Sequence, residues 1–513
     1  MVDQQGFFRE VLFLEHSFSV IIIGGGVVGN AIARELSRFQ LTAALLEKEP
    51  DVGMETSCRN SGVLHSGINY KPGTLRAKLA VRGNSMMDRL CGDLKVKIKR
   101  IGKLTTALDE DELPGIKRLM DQGTANGVPG LKVLENAEMR KIQPGVEGIA
   151  AVWSPTSAII SPYGLTIALA ENAHANGVEF FLGREVTSIA KENDGKFTVK
   201  TACGETFTAD IVINAAGLSS GRISALAGVA AGNNGESLRI WPCRGEYYVL
   251  DKRLDGTLKT LIYPVPGAKD AGLGIHLTPT VDGNILIGPS ADYIPEETPE
   301  DYCVTSPVLE DLRREGQKLL PDIKMSDFIR NFAGNRPKRT SPAEGGNGDF
   351  IIEEANGVCG FINIVGIESP GLTSAPAIAE MVRDLVASRI VLKEKEIFIA
   401  ERPGFAGHFC DLPKEEQERL VKENPEYGEI ICRCEKITKK EIRDAIENSL
   451  GARTLVSIKY RARNGMGRCQ GGFCTPRIVR MLRDEYGFTP EDYLFREAGS
   501  NLFTGNVREG EDR

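Results

Sequence analysis

Four cysteines near the C-terminal end of the chain are spaced like the ligands of a metal site. Cys432 and Cys434 form a C-x-C pair, and 34 residues separate this pair from Cys469 and Cys474. In an extended strand, residues i and i+2 point to the same side about 7 Å apart, so two thiolates can face one metal ion. Structural zinc is usually held by C-x-x-C pairs. The spacing therefore favours a [2Fe-2S] cluster, with zinc or free thiols as the alternatives.

Two predicted helix starts lie next to these cysteines. Thr438 and Glu441 match a T-x-x-E capping box, and Thr475-Pro476 matches an N-cap followed by a proline in the first turn. The positive end of a helix dipole near a thiolate lowers the thiol pKa and stabilises negative charge on a cluster. Three glycines allow the loop before the last cysteine to wrap tightly: Gly467, Gly471 and Gly472.

A glycine turn near the N-terminal end has the pattern of a dinucleotide site. Residues 18–23 predict a buried strand, residues 27–39 a helix and residues 41–49 a second strand. Glu47, near the end of the second strand, is placed to bind ribose hydroxyls. The turn between the first strand and the helix reads G-x-G-x-x-G, which brings a pyrophosphate close to the helix N-terminus through Gly24, Gly26 and Gly29. This combination predicts the start of a Rossmann-type unit.

Length and composition restrict the class of protein. The 513 residues are enough for about three domains. A net charge of −7 argues against general nucleic-acid binding, and no apolar run reaches the roughly 18 residues of a membrane span. Seven of the eleven cysteines are scattered, which predicts a reducing, cytoplasmic setting. Residues 428–488 contain 13 Lys and Arg against 7 Asp and Glu, a local surplus that is either ordinary surface charge or a docking face for an acidic partner.

Residues 18–400 resemble a family of FAD-dependent oxidoreductases that includes D-amino-acid oxidase, glycerol-3-phosphate dehydrogenase and L-2-hydroxyglutarate dehydrogenase. The resemblance rests on six segments: RNSGVLHSG (59–67), INAAG (213–217), WPCRGEYY (241–248), GIHLTPTVDGNILIGP (274–289), FAGNRPK (332–338) and IVGIESPGLTSAPAIAE (364–380). Residues 429–485 resemble the BFD-like [2Fe-2S] domain, named after bacterioferritin-associated ferredoxin, that is fused to anaerobic glycerol-3-phosphate dehydrogenase subunits. The sequence contains one G-x-G-x-x-G, so a second, NAD-binding Rossmann unit is not expected.

The resemblance implies an α/β fold in three parts. The first is a discontinuous Rossmann-type FAD-binding domain at residues 17–90, 151–235 and 331–400. The second is an inserted α+β substrate-binding domain with a mixed or antiparallel sheet at residues 91–150 and 236–330. A linker rich in Pro, Gly and charge (401–428) leads to the small C-terminal BFD-like [2Fe-2S] domain (429–488) and a loose polar tail (489–513).

The resemblance also implies two cofactors, FAD and one [2Fe-2S] cluster. In such proteins the segment before the last helix carries the pyrimidine end of the flavin on backbone N–H groups. Pro370-Gly371 suits a turn there, and Thr373 suits a helix cap. The expected FAD contacts are Gly24, Gly26, Val27, Val28, Gly29, Glu47, Lys48, Thr56, Ser57, Asn60, Ser61, Gly62, Val186, Ala215, Ala216, Gly217, Gly366, Ile367, Pro370, Gly371, Leu372 and Thr373. The expected cluster ligands are the four cysteines described above.

A flavin that oxidises a CH–OH or CH–NH₂ carbon needs an anchor for the substrate's anion and a base beside its ring. Arg336 is the first candidate anchor, because a guanidinium binds carboxylate or phosphate in a bidentate fork and the resemblance places it by the flavin. His65 and His276, which lie in family-like segments, are the candidate bases. Further candidates for substrate contacts are Arg244, Lys338, Tyr248 and Tyr263.

The function implied is an FAD-dependent dehydrogenase acting on a small anionic CH–OH substrate. Hydride would pass to flavin N5, and electrons would leave singly through the [2Fe-2S] cluster to a partner subunit or carrier, which could tie the protein peripherally to a membrane. sn-Glycerol 3-phosphate leads because the fused cluster domain resembles that of anaerobic glycerol-3-phosphate dehydrogenase, and the basic RPKR run at 336–339 slightly favours a phosphate. Residues 55–83 and 98–135, in contrast, look closer to L-2-hydroxyglutarate oxidases. The alternatives are L-2-hydroxyglutarate or another 2-hydroxy acid, an amino acid or opine, and a non-catalytic redox sensor that would need neither Arg336 nor a histidine at the flavin.

Overall fold

The computed structural model describes residues 15–266, 274–404 and 407–505 of the chain. Its strands, in chain order, are β1 Glu15–Ile23, β2 Ala43–Glu47, β3 Val63–Leu64, β4 Ile98–Lys99, β5 Lys103–Ala107, β6 Lys132–Glu135, β7 Ala150–Ser154, β8 Ala158–Ile160, β9 Glu179–Leu182, β10 Val186–Lys191, β11 Phe197–Thr201, β12 Thr206–Asn214, β13 Trp241–Leu250, β14 Leu261–Pro264, β15 His276–Pro279, β16 Ile285–Gly288, β17 Asp292–Tyr293, β18 Phe328–Lys338, β19 Ile351–Glu354, β20 Phe361–Val365, β21 Ile430–Cys432 and β22 Ile437–Thr438. Its helices are α1 Val27–Leu36, α2 Leu75–Leu94, α3 Leu113–Ala125, α4 Asn136–Ile142, α5 Pro162–Ala175, α6 Ser220–Leu226, α7 Ser306–Leu319, α8 Gly371–Ala387, α9 Lys414–Glu423, α10 Lys439–Ile446, α11 Leu455–Ala462 and α12 Thr475–Tyr486.

The first sheet is built around five parallel strands in the order β9–β2–β1–β12–β20. Antiparallel pairs with β10, β11 and β19 extend it at its edges. Parallel strands are covered on both faces, which is why β1 is a continuous apolar run in which Val20, Ile21 and Ile22 are fully buried. Helices α1, α2, α5 and α8 pack on one face. The predicted Rossmann-type fold is confirmed.

The second sheet is mostly antiparallel and has the order β17–β13–β16–β15–β14–β5–β7–β6, with β18 paired to β13. The pair of β14 with β5 is parallel, so the predicted mixed sheet of the inserted domain is confirmed. This sheet extends beyond the expected boundaries of the inserted domain, because β7 and β18 both pair within it. The expected boundaries at residues 151 and 331 therefore cut through this sheet.

The C-terminal unit consists of the hairpin β21–β22 and the helices α10, α11 and α12 around their own apolar core. Helix α11 packs against α5 of the first domain. The residues of α5 are buried over almost the whole circumference of the helix. The reason is that α1 covers one side of α5 and the C-terminal unit covers another.

Residues 489–505 are not a loose tail, so that expectation is wrong for the part of the tail that the structure describes. Tyr493 is 3% exposed and lies in the core of the C-terminal unit. The N–H groups of Leu455 and Val456 donate to the carbonyls of Leu494 and Phe495 at 3.0 and 2.9 Å. These bonds tie the segment to the start of α11. The rest of the predicted tail, residues 506–513, lies outside the described residues.

None of the helices in the described ranges combines the length and the apolar character that a membrane crossing requires. The longest of them, α2 with 20 residues, has a negative mean hydropathy.

Candidate active site and cluster site

The glycine turn between β1 and α1 packs tightly against the end of β12. A Cβ on Gly29 would lie 1.9 Å from the carbonyl oxygen of Gly24, and a Cβ on Gly24 would lie 2.5 Å from that of Ala215. Neither position can therefore hold a side chain. The turn opens into a cavity of about 100 Å³ that Gly24, Gly26 and Glu47 help to line.

Glu47 lies where the adenosine half of a dinucleotide would enter. Its carboxylate accepts the N–H of Gly25 at 2.6 Å and that of Glu49 at 2.9 Å. Burial raises the pKa of Glu47 to about 7, and the two N–H donors oppose that rise. Each carboxylate oxygen keeps a further lone pair, so ribose hydroxyls can still donate to it. Lys48 beside it is held by three carboxylates at 2.5–2.8 Å, those of Glu49, Glu55 and Glu300.

A larger cavity of about 230 Å³ adjoins the first. Both are lined by Gly26, Thr56, Ser57, Ala215 and Gly217, so together they form one cleft from Glu47 to the start of α8. Most expected FAD contacts line this cleft: Gly24, Gly26, Val27, Val28, Glu47, Lys48, Thr56, Ser57, Asn60, Ser61, Val186, Ala215, Ala216, Gly217, Ile367, Pro370, Gly371 and Leu372. The residues present fit an extended dinucleotide.

Four expected FAD contacts are not among the lining residues: Gly29, Gly62, Gly366 and Thr373. The three glycines serve close packing instead, since a Cβ on Gly62 would lie 2.3 Å from the carbonyl oxygen of Ile160 and one on Gly366 would lie 2.4 Å from the Arg339 side chain.

Thr373 does not cap α8, contrary to the sequence prediction. The N-cap is Pro370, and Thr373 occupies the third position of the helix. Its hydroxyl accepts the backbone N–H of His65 at 3.0 Å. In the first turn of α8 the N–H of Gly371 donates to the carbonyl of Glu368 at 2.5 Å. The N–H groups of Leu372 and Thr373 have no acceptor among the described residues and can bind a ligand, because a helix start leaves them without intrahelical acceptors. Thr373 therefore links the helix start to a candidate base.

His65 and His276, the two candidate bases, both line the larger cavity. Nδ1 of His276 must donate to the carbonyl of Gly274 at 2.8 Å, because a carbonyl can only accept. Its Nε2 then carries the lone pair, and neither this atom nor Nδ1 of His65 has a hydrogen-bond partner among the described residues. Burial lowers the pKa of His276 to about 3 and lowers that of His65 well below its usual value, so both rings are neutral near pH 7.

Lys103 lies behind this histidine pair and is missed by the sequence analysis. Its side chain is 1% exposed, and Nζ has no hydrogen-bond partner in the part of the chain that the structure describes. Nζ lies 4.9 Å from the centroid of the Tyr263 ring, which in turn stacks on His276 at 3.8 Å. Burial lowers the pKa of Lys103 to about 7. The sequence carries no signal for this, since a lysine in a short strand is usually exposed.

Arg336 and Tyr263, two expected substrate contacts, also line the larger cavity. Arg336 donates to the carbonyl of Ser290 at 3.2 Å and lies 3.9 Å from Sγ of Cys243. It forms no ion pair with any described residue, although the carboxylate of Glu368 lines the same cavity and helps to raise the pKa of Arg336.

Three other expected substrate contacts are not brought to the cavity. Successive residues of a strand point to opposite faces, so β13 directs Tyr247 into the cavity, while Tyr248 packs on Phe328 at 4.7 Å. Arg244 shares the face of Tyr248 and pairs with Asp301 at 3.0 Å. The ammonium of Lys338 is buried below the cavity and donates to Gly346 and Asn347 at 2.7 and 2.8 Å.

Arg76 is a cavity residue that the sequence analysis does not single out. It is 4% exposed, pairs with Glu368 at 3.4 Å and donates to the carbonyl of Gly348 at 2.8 Å. Its Nε has no hydrogen-bond partner in the described ranges. The sequence does contain an indication that Arg76 is buried. It shares one helical face of α2 with small and apolar residues at spacings of three, four and seven: Leu79, Ala80 and Gly83.

The four cysteines meet at one end of the C-terminal unit, Cys432 and Cys474 buried, Cys434 and Cys469 exposed. The thiol of Cys474 donates to the sulfur of Cys432, which with two backbone N–H donors lowers the pKa of Cys432 to about 6. The N–H of Phe473 likewise lowers the pKa of Cys469. Thiolates surrounded by backbone donors fit a thiolate-bound iron–sulfur cluster.

The backbone around these cysteines differs in detail from the sequence prediction. Strand β21 ends at Cys432, and Cys434 lies in the following turn. The capping box of Thr438 and Glu441 is confirmed. Helix α12, however, begins one residue early: Cys474 is its N-cap and Thr475 its first residue. The cause is that the N–H of Thr475 already donates to the carbonyl of Gly471 at 2.9 Å.

Buried ion pairs dock the C-terminal unit onto the rest of the chain. Arg461 binds Asp51 at 2.5 and 3.0 Å and Glu171 at 3.2 Å. Arg463 binds Asp282, and its other guanidinium nitrogen lies 3.0 Å from Glu435 within the unit itself. Part of the basic surplus of this unit is therefore used inside the molecule.

A third cavity, of about 380 Å³, lies between the C-terminal unit and the rest of the chain. Residues 59–61 line it on one side, and Met466 and Gln470, which flank the Cys469 loop, line it on the other. Because residues 59–61 also line the larger cleft cavity, this one segment separates the two spaces.

Comparison with known proteins agrees with this architecture. The family model described as FAD dependent oxidoreductase matches residues 19–385, and the model described as BFD-like [2Fe-2S] binding domain matches residues 430–484. A glycerol 3-phosphate dehydrogenase of Caloramator mitchellensis is 42% identical over 96% of this chain and 99% of its own length. The human mitochondrial L-2-hydroxyglutarate dehydrogenase is 31% identical over 73% of this chain and 90% of its own. The structure of an L-alpha-glycerophosphate oxidase from Mycoplasma pneumoniae with FAD bound has a TM-score of 0.69 and 30% identity, over 75% of this chain and 98% of that one.

The chain belongs to the FAD-dependent oxidoreductase family and carries a BFD-like [2Fe-2S] domain at its C-terminal end. It is an FAD-dependent oxidoreductase. The two cofactors expected from the sequence, FAD and a [2Fe-2S] cluster, are confirmed by these matches.

Proposed function

We propose that this protein oxidises sn-glycerol 3-phosphate to dihydroxyacetone phosphate. The observation that carries the proposal is the match to a glycerol 3-phosphate dehydrogenase over 96% of the chain, which includes the C-terminal unit. The match to the human L-2-hydroxyglutarate dehydrogenase covers only 73% of the chain. Bound FAD supplies a hydride acceptor and the [2Fe-2S] cluster a one-electron carrier.

Arg336 is the proposed anchor for the phosphate. It lines the cavity, its recorded contacts are neutral and it forms no ion pair with a described residue. A buried cation of this kind gains most from a dianion that it can bind through two parallel hydrogen bonds. Arg76 adds a second guanidinium to the same cavity, although Glu368 offsets its charge.

A neutral histidine accepts the proton of the substrate hydroxyl. His276 meets this requirement through its Nε2 lone pair, and His65, held by Thr373, is the second candidate. Burial lowers the pKa of both rings and keeps them unprotonated at pH 7, so that a ring nitrogen with a free lone pair faces the substrate hydroxyl.

An electron-accepting partner and a reducing, cytoplasmic location belong to the same proposal. The location is supported by the cysteines, since all eleven are free thiols in this structure. We also propose that the chain is divided into the domains expected from the sequence, with β7 and β18 assigned to the substrate-binding domain.

The test is anaerobic mixing with candidate substrates while the flavin absorbance is followed. We expect glycerol 3-phosphate to bleach the flavin, and L-2-hydroxyglutarate and amino acids to leave it oxidised. Bleaching by one of the latter alone would replace the proposed substrate. Bleaching by none would favour the redox sensor.

Arg336→Ala should raise KM for glycerol 3-phosphate by about 30- to 1,000-fold, the equivalent of about 2–4 kcal/mol for a buried charged partner. The matched control is Arg244→Lys, which changes a guanidinium of the same sheet on the face away from the cavity. An unchanged KM in Arg336→Ala would remove this residue from the anchor role.

A further inference from the structure

The two segments that carry the cluster ligands expose several cations, and the exposed acids Glu429, Asp484 and Glu485 lie just outside these segments in the sequence. In the two cysteine segments, residues 430–437 and 464–483, every exposed charged side chain is a lysine or an arginine. Arg468 pairs with Asp251, and Arg483 pairs with Asp484. The other four form no ion pair within the described part of the chain: Arg433, Lys436, Arg477 and Arg480.

Two of these cations are held in place by an aromatic ring. The guanidinium groups of Arg433 and Arg477 lie 4.5 and 4.3 Å from the centroid of the Phe473 ring. Arg433 stands between Cys432 and Cys434 in the sequence, and Phe473 directly precedes Cys474. Stacking on a ring restrains a guanidinium while leaving its N–H groups free to bind an anion. The ring therefore restrains two cations that lie next to cluster ligands in the sequence.

We propose that this face, formed by Arg433, Lys436, Phe473, Arg477 and Arg480, docks an acidic one-electron carrier protein. The inference rests on the proposed function, because it assumes that reducing equivalents reach the cluster. Two of the four ligand cysteines, Cys434 and Cys469, are exposed, so a carrier docked here would lie on the exposed side of the cluster site. The cluster would lose one electron and the carrier would gain one.

Charge complementarity selects the acidic partner. Arg433 and Arg477 stack on the same ring, so their charges lie close enough to repel each other, and a surface of carboxylates removes that repulsion. An anionic lipid surface would attract the same charges. However, it accepts no electron, and the arginine–phenylalanine–arginine stack presents guanidinium groups where membrane insertion would need apolar side chains.

The binding test uses the holoprotein with its cluster, and an oxidised acidic flavodoxin as the probe. Its Kd is measured by calorimetry for the wild type, for Arg433→Glu/Arg477→Glu and for the control Arg89→Glu, whose side chain is 91% exposed on α2. We expect the double variant to raise Kd about tenfold or more and the control to leave it within a factor of about two. The wild-type Kd should also rise between low and physiological ionic strength.

Three results would overturn the proposal. The first is no flavodoxin binding, or binding that ignores salt. The second is an equal effect of the double variant and the control. The third is binding to phosphatidylglycerol vesicles in place of the flavodoxin. If the double variant loses iron, Arg480→Glu on the exposed side of α12 provides the same comparison.

The proposed function is tested separately by single-turnover bleaching of the flavin with glycerol 3-phosphate, without a carrier. We expect the same bleaching rate in the wild type and the double variant. Failure to bleach in the wild type would overturn the proposed function, whereas the comparison of Kd values decides on the docking face in either case.

Discussion

Replacing Arg461 with methionine tests whether the buried ion network holds the C-terminal unit in place. The guanidinium binds both oxygens of Asp51 and one of Glu171, and the three side chains are exposed by no more than 11%. Removal of the cation takes both guanidinium contacts from Asp51, which keeps the N–H of Val52 at 2.8 Å, whereas Glu171 keeps its ion pair with Arg402 at 2.6 Å. Breaking a buried pair in this way costs about 3–5 kcal/mol, because the charge of Asp51 is then neither solvated nor balanced by the cation that it lost.

The assay is hydrogen exchange at the amides of α11, which reports the free energy of opening of that helix. We expect this free energy to fall by about 3–5 kcal/mol in Arg461→Met. The matched control is Arg419→Met on α9, where pairs with Glu416 and Glu423 are all more than a third exposed. Exposed ion pairs contribute at most about 1 kcal/mol. In Arg419→Met the free energy of opening of α11 should therefore stay close to that of the wild type.

Equal protection of α11 in the two variants would refute this account of the network. A double-mutant cycle adds a second check: Arg461→Met should cost less in an Asp51→Asn background, because the carboxylate that loses its cation is then absent. Flavin reduction by substrate should persist in Arg461→Met while reduction of the cluster slows. Rapid-scan spectroscopy separates the two signals.

Three further outcomes are expected. Burial lowers the pKa of Lys103 to about 7 in the folded protein, below the pKa of a lysine in the unfolded chain. Between about pH 7 and 10 the unfolded chain therefore binds more protons than the folded one, and the free energy of unfolding rises with pH. Denaturant titrations at several pH values should show a rise of about 1 kcal/mol per pH unit in the wild type and no such rise in Lys103→Met. A rise that persists in Lys103→Met would show that another group causes it. Thr373→Val should lower kcat and destabilise the protein by about 1–3 kcal/mol, because the N–H of His65 loses its acceptor, whereas Thr373→Ser should behave like the wild type. Gly467→Ala should abolish the EPR signal of the reduced cluster but retain FAD, because its Cβ would lie 2.3 Å from that of Cys434; an intact signal would contradict this geometry.

The sequence predicted the elements whose signal is local. The glycine turn, the capping box of Thr438 and Glu441 and the clustering of four cysteines all depend on residues a few positions apart or on a family pattern. Most expected cofactor contacts therefore line the cleft.

Properties that depend on contacts distant in the sequence could not be predicted in this way. Thr373 resembles a helix cap, but its hydroxyl contacts a residue 308 positions away. Tyr248 and Tyr247 are indistinguishable in sequence, and only the register of β13 decides which of them faces the cavity. Helix α5 is buried because a distant helix, α11, covers it, and the burial of Lys103 depends on the neighbouring strands of its sheet.

The narrow partition formed by residues 59–61 has a consequence for inhibition. A compound lodged in the 380 Å³ space on its far side would touch neither Arg336 nor the histidines, yet it would lie against the opposite surface of the same segment. Such a molecule should depress turnover at saturating substrate without changing the apparent affinity for it. An inhibitor of electron transfer and an inhibitor that competes with the substrate would thus bind in different cavities of this protein.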